Sequence, residues 1–412
     1  MRILHTSDWH LGRSFLGVGM LEHQAGFVDH LVATVEAERV DLVVVSGDVY
    51  DRALPPVDAV SLFQETLERL AASRAKAVIT SGNHDSHLRL GFASRLIDRS
   101  GVFLRTHPRD VGTPVLLDDE HGPVAVHGLP YLDPDHLRQA WQLDRRSHEA
   151  AIGEAMHRVR ADLAMRPGAR SVVLAHAFVA DVRSGEGAKG LRCSESERDI
   201  SVGGVQLVPA SVFAGVDYTA LGHLHGRHTL TETVRYSGSP LAYSFSEAGQ
   251  RKGSWLVELG ADGFAGADFV DAPVPRPLVR LRGRIDDLLA DVRHAGAEGA
   301  WVQAVLTDAV RPAQAKPRLE RRFPHLLSVN FEPEGAAPSG LPTARVGQGV
   351  SDHQIALDFV AELRGRAADE SESAMLLDAC DATGFPDQDP ETGSGRAASA
   401  ASDVETNRRV SA

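Results

Sequence analysis

Five short motifs in this chain carry residue types that can do metal chemistry. They are Asp8-Trp9-His10, Gly47-Asp48-Val49-Tyr50-Asp51, Gly82-Asn83-His84-Asp85, His176, and Gly222-His223-Leu224-His225, and each follows an apolar run and opens a loop. Asp, Asn and His offer oxygen and imidazole donors without thiolates, a set that suits Mn²⁺, Fe or Zn²⁺, with Mn²⁺ matched to mixed carboxylate and imidazole ligands. One carboxylate shared by two cations would hold them about 3.5–4 Å apart, the spacing at which a water is acidified for attack on phosphorus. Asp48 is the natural bridge, because it ends a fully apolar strand and Gly47 lets the backbone turn tightly. Singly, each motif is weak. In a chain with 19 His, an H-x-H arises by chance, and Gly47-Asp48 or Gly82-Asn83 reads equally well as a turn with a side-chain cap. The ordered set is what points to a metal centre.

Those motifs need elements to position them. Residues 41–46, 77–80, 123–126 and 171–175 are rich in Val, Ile, Leu and Ala and read as buried strands. Between them Phe27, Leu31 and Val35 recur at helical spacing, as do Val60, Phe63, Leu67 and Leu70, with Pro55 and Pro56 leading into the second helix. Strand–helix alternation predicts α/β layers, and such sheets gather ligand sites beyond the carboxyl ends of their strands. Residues 1–272 form this first domain. The proline-rich stretch Pro273-Val274-Pro275-Arg276-Pro277 opens a second, residues 273–334. Its pattern predicts strand 278–281, helix 285–292, strand 301–306, helix 317–323 and strand 326–331, with Pro317 opening the first turn of its helix. A Gly/Pro/Ala linker follows over 335–349. Residues 350–380 then read as helical, with Ile355, Phe359 and Leu363 on one face and Leu376 and Leu377 further on. From 381 to 412 periodicity is lost and the composition predicts a disordered tail.

The formal net charge of −13 weighs against a polyanionic partner. The charge is unevenly spread, however. Residues 350–412 hold 13 acidic side chains against five arginines, a net of −8 that leaves −5 for the first 349 residues. Bound divalent cations would offset the site's own carboxylates. Two cysteines, Cys193 and Cys380, give neither a disulfide framework nor a zinc cluster and fit a reducing cytoplasm. The first residues, Met1-Arg2-Ile3-Leu4-His5-Thr6, turn polar too soon for a signal peptide, and no run of 18 apolar residues predicts a membrane helix. The expectation is a soluble, cytoplasmic protein with no membrane partner.

The motif order D-x-H, G-D, G-N-H-D, H, G-H-x-H resembles that of the calcineurin-like metallophosphoesterase superfamily. Within it, residues 194–204 (Ser-Glu-Ser-Glu-Arg-Asp-Ile-Ser-Val-Gly-Gly) and 236–247 (Tyr-Ser-Gly-Ser-Pro-Leu-Ala-Tyr-Ser-Phe-Ser-Glu) resemble the bacterial SbcD nuclease subunits. The resemblance covers about residues 1–255 and extends more loosely over the second domain. It implies a two-sheet β-sandwich flanked by helices, a small α/β capping domain and C-terminal docking helices. One of two Mn²⁺ ions (Mg²⁺ or another divalent metal being alternatives) would be held by Asp8, His10, Asp48 and His225. The second would take Asp48, Asn83, His176 and His223. His84 would bind no metal but protonate the leaving oxygen, with Asp85 orienting it through a hydrogen bond; a local turn bond is the other reading of Asp85. Asp51 stands where archaeal and eukaryotic relatives carry a phosphate-contacting histidine, and receives no role. His5, His87 and His127 read as packing or surface residues, and His23 and His30 as solvent-facing.

The implied activity is that of a 3′–5′ DNA exonuclease on double-strand ends and an endonuclease on hairpins and single strands, in DNA repair and recombination. The implied partners are DNA, an SbcC-type ATPase docked through Ile355, Phe359 and Leu363 in a heterotetramer, and a second copy paired through the nuclease domain. Two alternatives stand beside it. One is a phosphatase or phosphodiesterase for nucleotides or phosphoproteins. The other is an inactive scaffold on the same fold.

Overall fold

The computed structural model describes residues 1–181, 207–334, 351–364 and 366–382. The 194–204 segment, the 335–349 linker and the tail beyond 382 lie outside the described residues. Two six-stranded sheets form the larger part. The first runs in the order 263–271, 253–260, 2–6, 42–46, 76–80, 102–104, and the second 228–229, 234–236, 218–222, 170–176, 122–129, 115–119. The four strands from 2–6 to 102–104 are mutually parallel, as are the four from 122–129 to 234–236. Parallel strands in this fold are covered on both faces, which explains their unbroken apolar runs.

Side-chain alternation sorts those runs into layers. Ile3, Leu42, Val44 and Val78 point inward to meet Val124, Val126, Val172, Leu174 and Tyr218 between the sheets. Leu4, Val43, Val45 and Ile79 point outward onto helices Leu21–Ala37 and Val57–Ala72. Val173, Ala175 and Leu221 do the same on the far side, against helix His148–Ala164. The result is the helix-flanked two-sheet sandwich that the resemblance implies.

Residues 278–331 build a separate three-stranded parallel sheet, ordered 278–283, 301–306, 326–331, around Leu281, Ile285, Leu288, Val302, Leu319 and Phe323. It nevertheless belongs to one compact unit with the sandwich, Met1–Pro333, because Trp301 is buried among Phe15, Met20, Leu241, Tyr243 and Phe245. Several boundaries differ from the sequence reading. The helix expected over 285–292 ends at Ala290, where Asp291 caps the following turn through the Arg293 N–H (2.8 Å). The helix expected from Pro317 begins at Ala315, and Pro317 still falls in the first turn, where its missing N–H costs nothing. Residues Glu334–Ala412 form the second unit, in which helices Asp352–Arg364 and Glu370–Ala382 pack on each other and His353 Nε2 lies 3.0 Å from the Ser373 carbonyl. Within it Ile355 is half-buried and Phe359 is exposed; the Leu363 side chain lies outside the described residues. No helix among the described residues is long and apolar enough to cross a membrane.

Candidate metal centre

The five motifs occupy one edge of the sandwich because parallel strands deliver their carboxyl ends to the same side. Asp8 and His10 follow strand 2–6, Asp48 follows 42–46, Asn83 and His84 follow 76–80, His176 ends 170–176, and His223 and His225 follow 218–222. The two sheets are tied there. Ser46 Oγ donates to the Ala220 carbonyl (2.9 Å), and the Ser46 carbonyl lies 2.8 Å from His176 Nδ1. That bond leaves His176 Nε2 facing the cluster.

Two donor groups share Asp48. On one side His10 Nε2 lies 3.0 Å from His225 Nε2 and 3.7 Å from Asp48 Oδ2, and Asp8, His10 and His225 bring donor atoms within 4.8 Å of one another. On the other, Asn83 Oδ1 lies 3.0 Å from His176 Nε2 and 3.1 Å from His223 Nδ1, while His176 Nε2 is 3.4 Å from Asp48 Oδ2. All seven residues assigned to metal from the sequence are therefore brought together, although Asp8 and His225 stand at opposite ends of the set in the chain. Asp8, His10, Asp48, His176, His223 and His225 are buried. Imidazole nitrogens converging with carboxylate and amide oxygens at these distances form a donor set that suits a divalent cation. The residues present fit divalent metal.

The backbone is bent to make this possible. Asp8, His10, Asp48 and His223 all adopt positive φ, a conformation that costs a non-glycine residue about 1–3 kcal/mol and collects at functional sites. Gly82 shows the crowding, since a Cβ there would stand 2.1 Å from Asp48 Oδ1.

Burial and charge pull the groups of the cluster in different directions. Burial alone would raise the Asp48 carboxyl, but the charge and hydrogen bond of His176, then His10 and His84, outweigh it and hold Asp48 well below the usual range. Burial opposes charge on His176 too, yet Asp48 lifts it to about 9. Burial, with the neighbouring Asp48 charge, raises Asp8 to about 6 despite nearby imidazoles. Burial also drives His10 and His223 well below 6.5, which keeps them neutral donors.

His84 and Asp85 part company. His84 is about a third exposed, and its Nε2 lies 4.0 Å from Asp48 Oδ2. Its Nδ1 donates to the Asp51 carbonyl (2.7 Å) rather than to Asp85. The Asp85 carboxylate instead accepts the backbone N–H groups of Val49 (3.1 Å), Tyr50 (2.9 Å) and Gly82 (2.9 Å), which corrects the expected orienting role. A carboxylate one residue from His84 serves better here as a clasp between two ligand loops, because three N–H donors converge on it. Of the histidines without a role, His5 and His127 are buried packing residues and His87 is exposed. His5 is bonded between Tyr218 Oη and the Leu221 carbonyl, and His127 pairs with Asp162. His23, expected in solvent, lies edge-on to Trp301 at 5.5 Å.

Sequence reasoning gave no role to three groups that hold the ligand loops. Gln24 donates to the His10 carbonyl (2.7 Å) and accepts from Gly12 N–H (3.0 Å). Glu247 is buried with Oε1 3.5 Å from His225 Nδ1, and Lys252 Nζ donates to Glu247 (2.6 Å), Ser239 (2.9 Å) and the His225 carbonyl (2.8 Å). A carboxylate behind a ligating imidazole fixes its tautomer and orientation. The only signal for Glu247 in the sequence was its place at the end of the 236–247 segment.

Residues 1–227 match the sequence model of the calcineurin-like phosphoesterases, and the chain belongs to that family. It is thereby a phosphoester hydrolase by family. Residues 274–355 match a second model, SbcD_C, described as the type 5 capsule protein repressor C-terminal domain. The two matches together mark a metallophosphoesterase of the SbcD type. Similar solved structures include TT1561 of Thermus thermophilus (14% identity, 66% of this chain and 98% of that one, TM-score 0.38). Two others are GAP50, the anchor in the inner membrane complex of Plasmodium (13%, 66% and 84%, 0.40), and a novel archaeal phosphodiesterase (11%, 66% and 100%, 0.28).

Proposed function

We propose that this chain is a metal-dependent DNA nuclease, cutting double-strand ends as a 3′–5′ exonuclease and hairpins or single strands as an endonuclease. The observation that carries the proposal is Asp48 standing between two donor sets, with His84 beside them. Asp8, His10, Asp48 and His225 would hold one Mn²⁺, and Asp48, Asn83, His176 and His223 the other. When bound, such a pair of cations supplies Lewis acidity and an activated water for attack on a phosphodiester. The chain's own groups do the rest. Ser46 and Glu247 aim His176 and His225, Asp85 clasps the loops, and His84, oriented by the Asp51 carbonyl, presents Nε2 to the leaving oxygen.

The test is direct. Purified chain with Mn²⁺ should degrade a linear duplex, EDTA should stop it, and added Mn²⁺ should restore it. Turnover of nitrophenyl phosphate monoesters with no cut in any DNA would favour the phosphatase alternative and sink the nuclease reading.

An SbcC-type ATPase acting in repair and recombination, docked on Ile355, Phe359 and Leu363 in a heterotetramer, belongs to the same proposal and is supported by the 274–355 match. So does a homodimer. Leu54, Val57, Val60, Leu88, Phe92 and Leu96 are all exposed, and Arg89 Nη1 donates to the Ala53 carbonyl (3.1 Å), which brings the two segments that carry them into contact. Large exposed apolar faces mark interaction sites. Phe92→Asp is expected to weaken self-association by roughly 30-fold or more, the scale of an aromatic hot spot. Sedimentation across a concentration series reads this out, and a monomeric wild type would remove the homodimer from the proposal.

A further inference from the structure

Asp51, left without a role by its sequence, lies at the centre of a small ionic group beside the metal centre. Its Oδ1 is 3.6 Å from Arg13 Nη1 and 3.7 Å from His10 Nδ1, and its Oδ2 is 3.9 Å from Arg52 Nη2. The Arg13 backbone N–H donates to the His10 carbonyl (2.9 Å), so the main chain from which this side chain springs is fixed one turn beyond His10. It lies over the Tyr243 ring, 5.0 Å from the centroid, and that ring meets His10 and His225 edge-on. Arg13 Nη1 is buried and makes no hydrogen bond, its distance to Asp51 being that of a loose ion pair. Arg52, by contrast, is 64% exposed.

We propose that Arg13 and Arg52 form a subsite for a backbone phosphate next to the scissile one. The inference rests on the nuclease reading above and names the residues that grip the strand. A planar guanidinium matches two phosphate oxygens, and its contact with Asp51 is long enough to be exchanged for them. An acidic chain needs such local cations wherever it meets a polyanion. Asp51 ties this grip to the chemistry, because its carboxylate faces both arginines while its carbonyl fixes His84.

The Mn²⁺-loaded full chain would be assayed on a short single-stranded oligodeoxynucleotide and on bis(p-nitrophenyl) phosphate, a diester with no neighbouring phosphate. The ratio of kcat/KM on the first to that on the second isolates the subsite. Arg13→Gln should lower this ratio about tenfold, chiefly through KM for the oligonucleotide, and should flatten the salt dependence of that KM by about one unit of slope. Arg13→Lys should recover part of the loss. Arg52→Gln, on an exposed side chain whose loss leaves the fold intact, should lower the ratio about threefold. Ratios within twofold of wild type for both glutamine variants, or equal losses on both substrates, would overturn the subsite. A wild type that hydrolyses the nitrophenyl diester but cuts no oligonucleotide overturns the nuclease reading itself, and the subsite with it.

Discussion

Asp48→Asn is expected to cost at least about a thousandfold in kcat/KM on DNA, about 4 kcal/mol of transition-state stabilisation. Under the proposed assignment Asp48 is the ligand that the two ions would share, while Asp8 also brings a carboxylate oxygen within 4.8 Å of donor atoms on Asp48 and His176. Asn83, His176 and His223 would complete one set and Asp8, His10 and His225 the other. Replacing the carboxylate by an amide removes the negative charge that both cations would share and puts a nitrogen donor where an acceptor is needed. Bound metal should fall from two ions per chain to one or fewer, read by elemental analysis after gel filtration. The fold should persist, because Asn keeps one oxygen to accept the His84 N–H that Asp48 Oδ1 now takes (2.9 Å). A variant with two bound ions and more than a tenth of wild-type activity would show that Asp48 is not the shared ligand.

Much of this site was legible because its chemistry is local. A carboxylate or imidazole just beyond an apolar run can be read without knowing where the run goes, and parallel strands send all such positions to one edge. What spacing could not give was the partition of ligands. His10 and His225 are 215 positions apart, and nothing in their neighbourhoods says that they face each other; the assignment came from resemblance. The two readings of Asp85 stayed open for a related reason. Its partners are the backbone N–H groups of Val49, Tyr50 and Gly82, which have no sequence identity to search for. The same holds for His84, oriented by a carbonyl.

The fold divides along similar lines. Strands 42–46, 76–80 and 170–176 stood out because both their faces are buried. The hairpin 253–260 and 263–271 was not singled out. Gly260, Gly263 and Gly266 interrupt it, and its outer strand is mostly half-exposed, so its apolar pattern is diluted. Trp301 ties the two parts together. In the sequence it begins a strand of the second domain, yet its ring is buried among Phe15, Met20 and Phe245, so the boundary at 272/273 falls inside a single compact unit.

His84→Gln is expected to lower kcat by about 10²–10⁴, the usual contribution of a positioned acid, with both metal ions retained. The Asp51 carbonyl can only accept, so Nδ1 carries a hydrogen, and the proton available for transfer is the one on Nε2, on the side of Asp48. Glutamine matches the reach of the imidazole and can still donate a hydrogen bond, but it cannot give up a proton at working pH. Geometry leaves a rival that the same experiment decides. His10, Asp48 and His84 also lie close enough to hold an ion together. Against it, His84 is about a third exposed where His10 and His176 are fully buried, and its Nε2 stands farther from Asp48 than theirs. If the variant loses metal along with activity, His84 is a ligand. If it keeps two ions per chain and wild-type kcat, the leaving oxygen takes its proton from water, and His84 has no part in the chemistry.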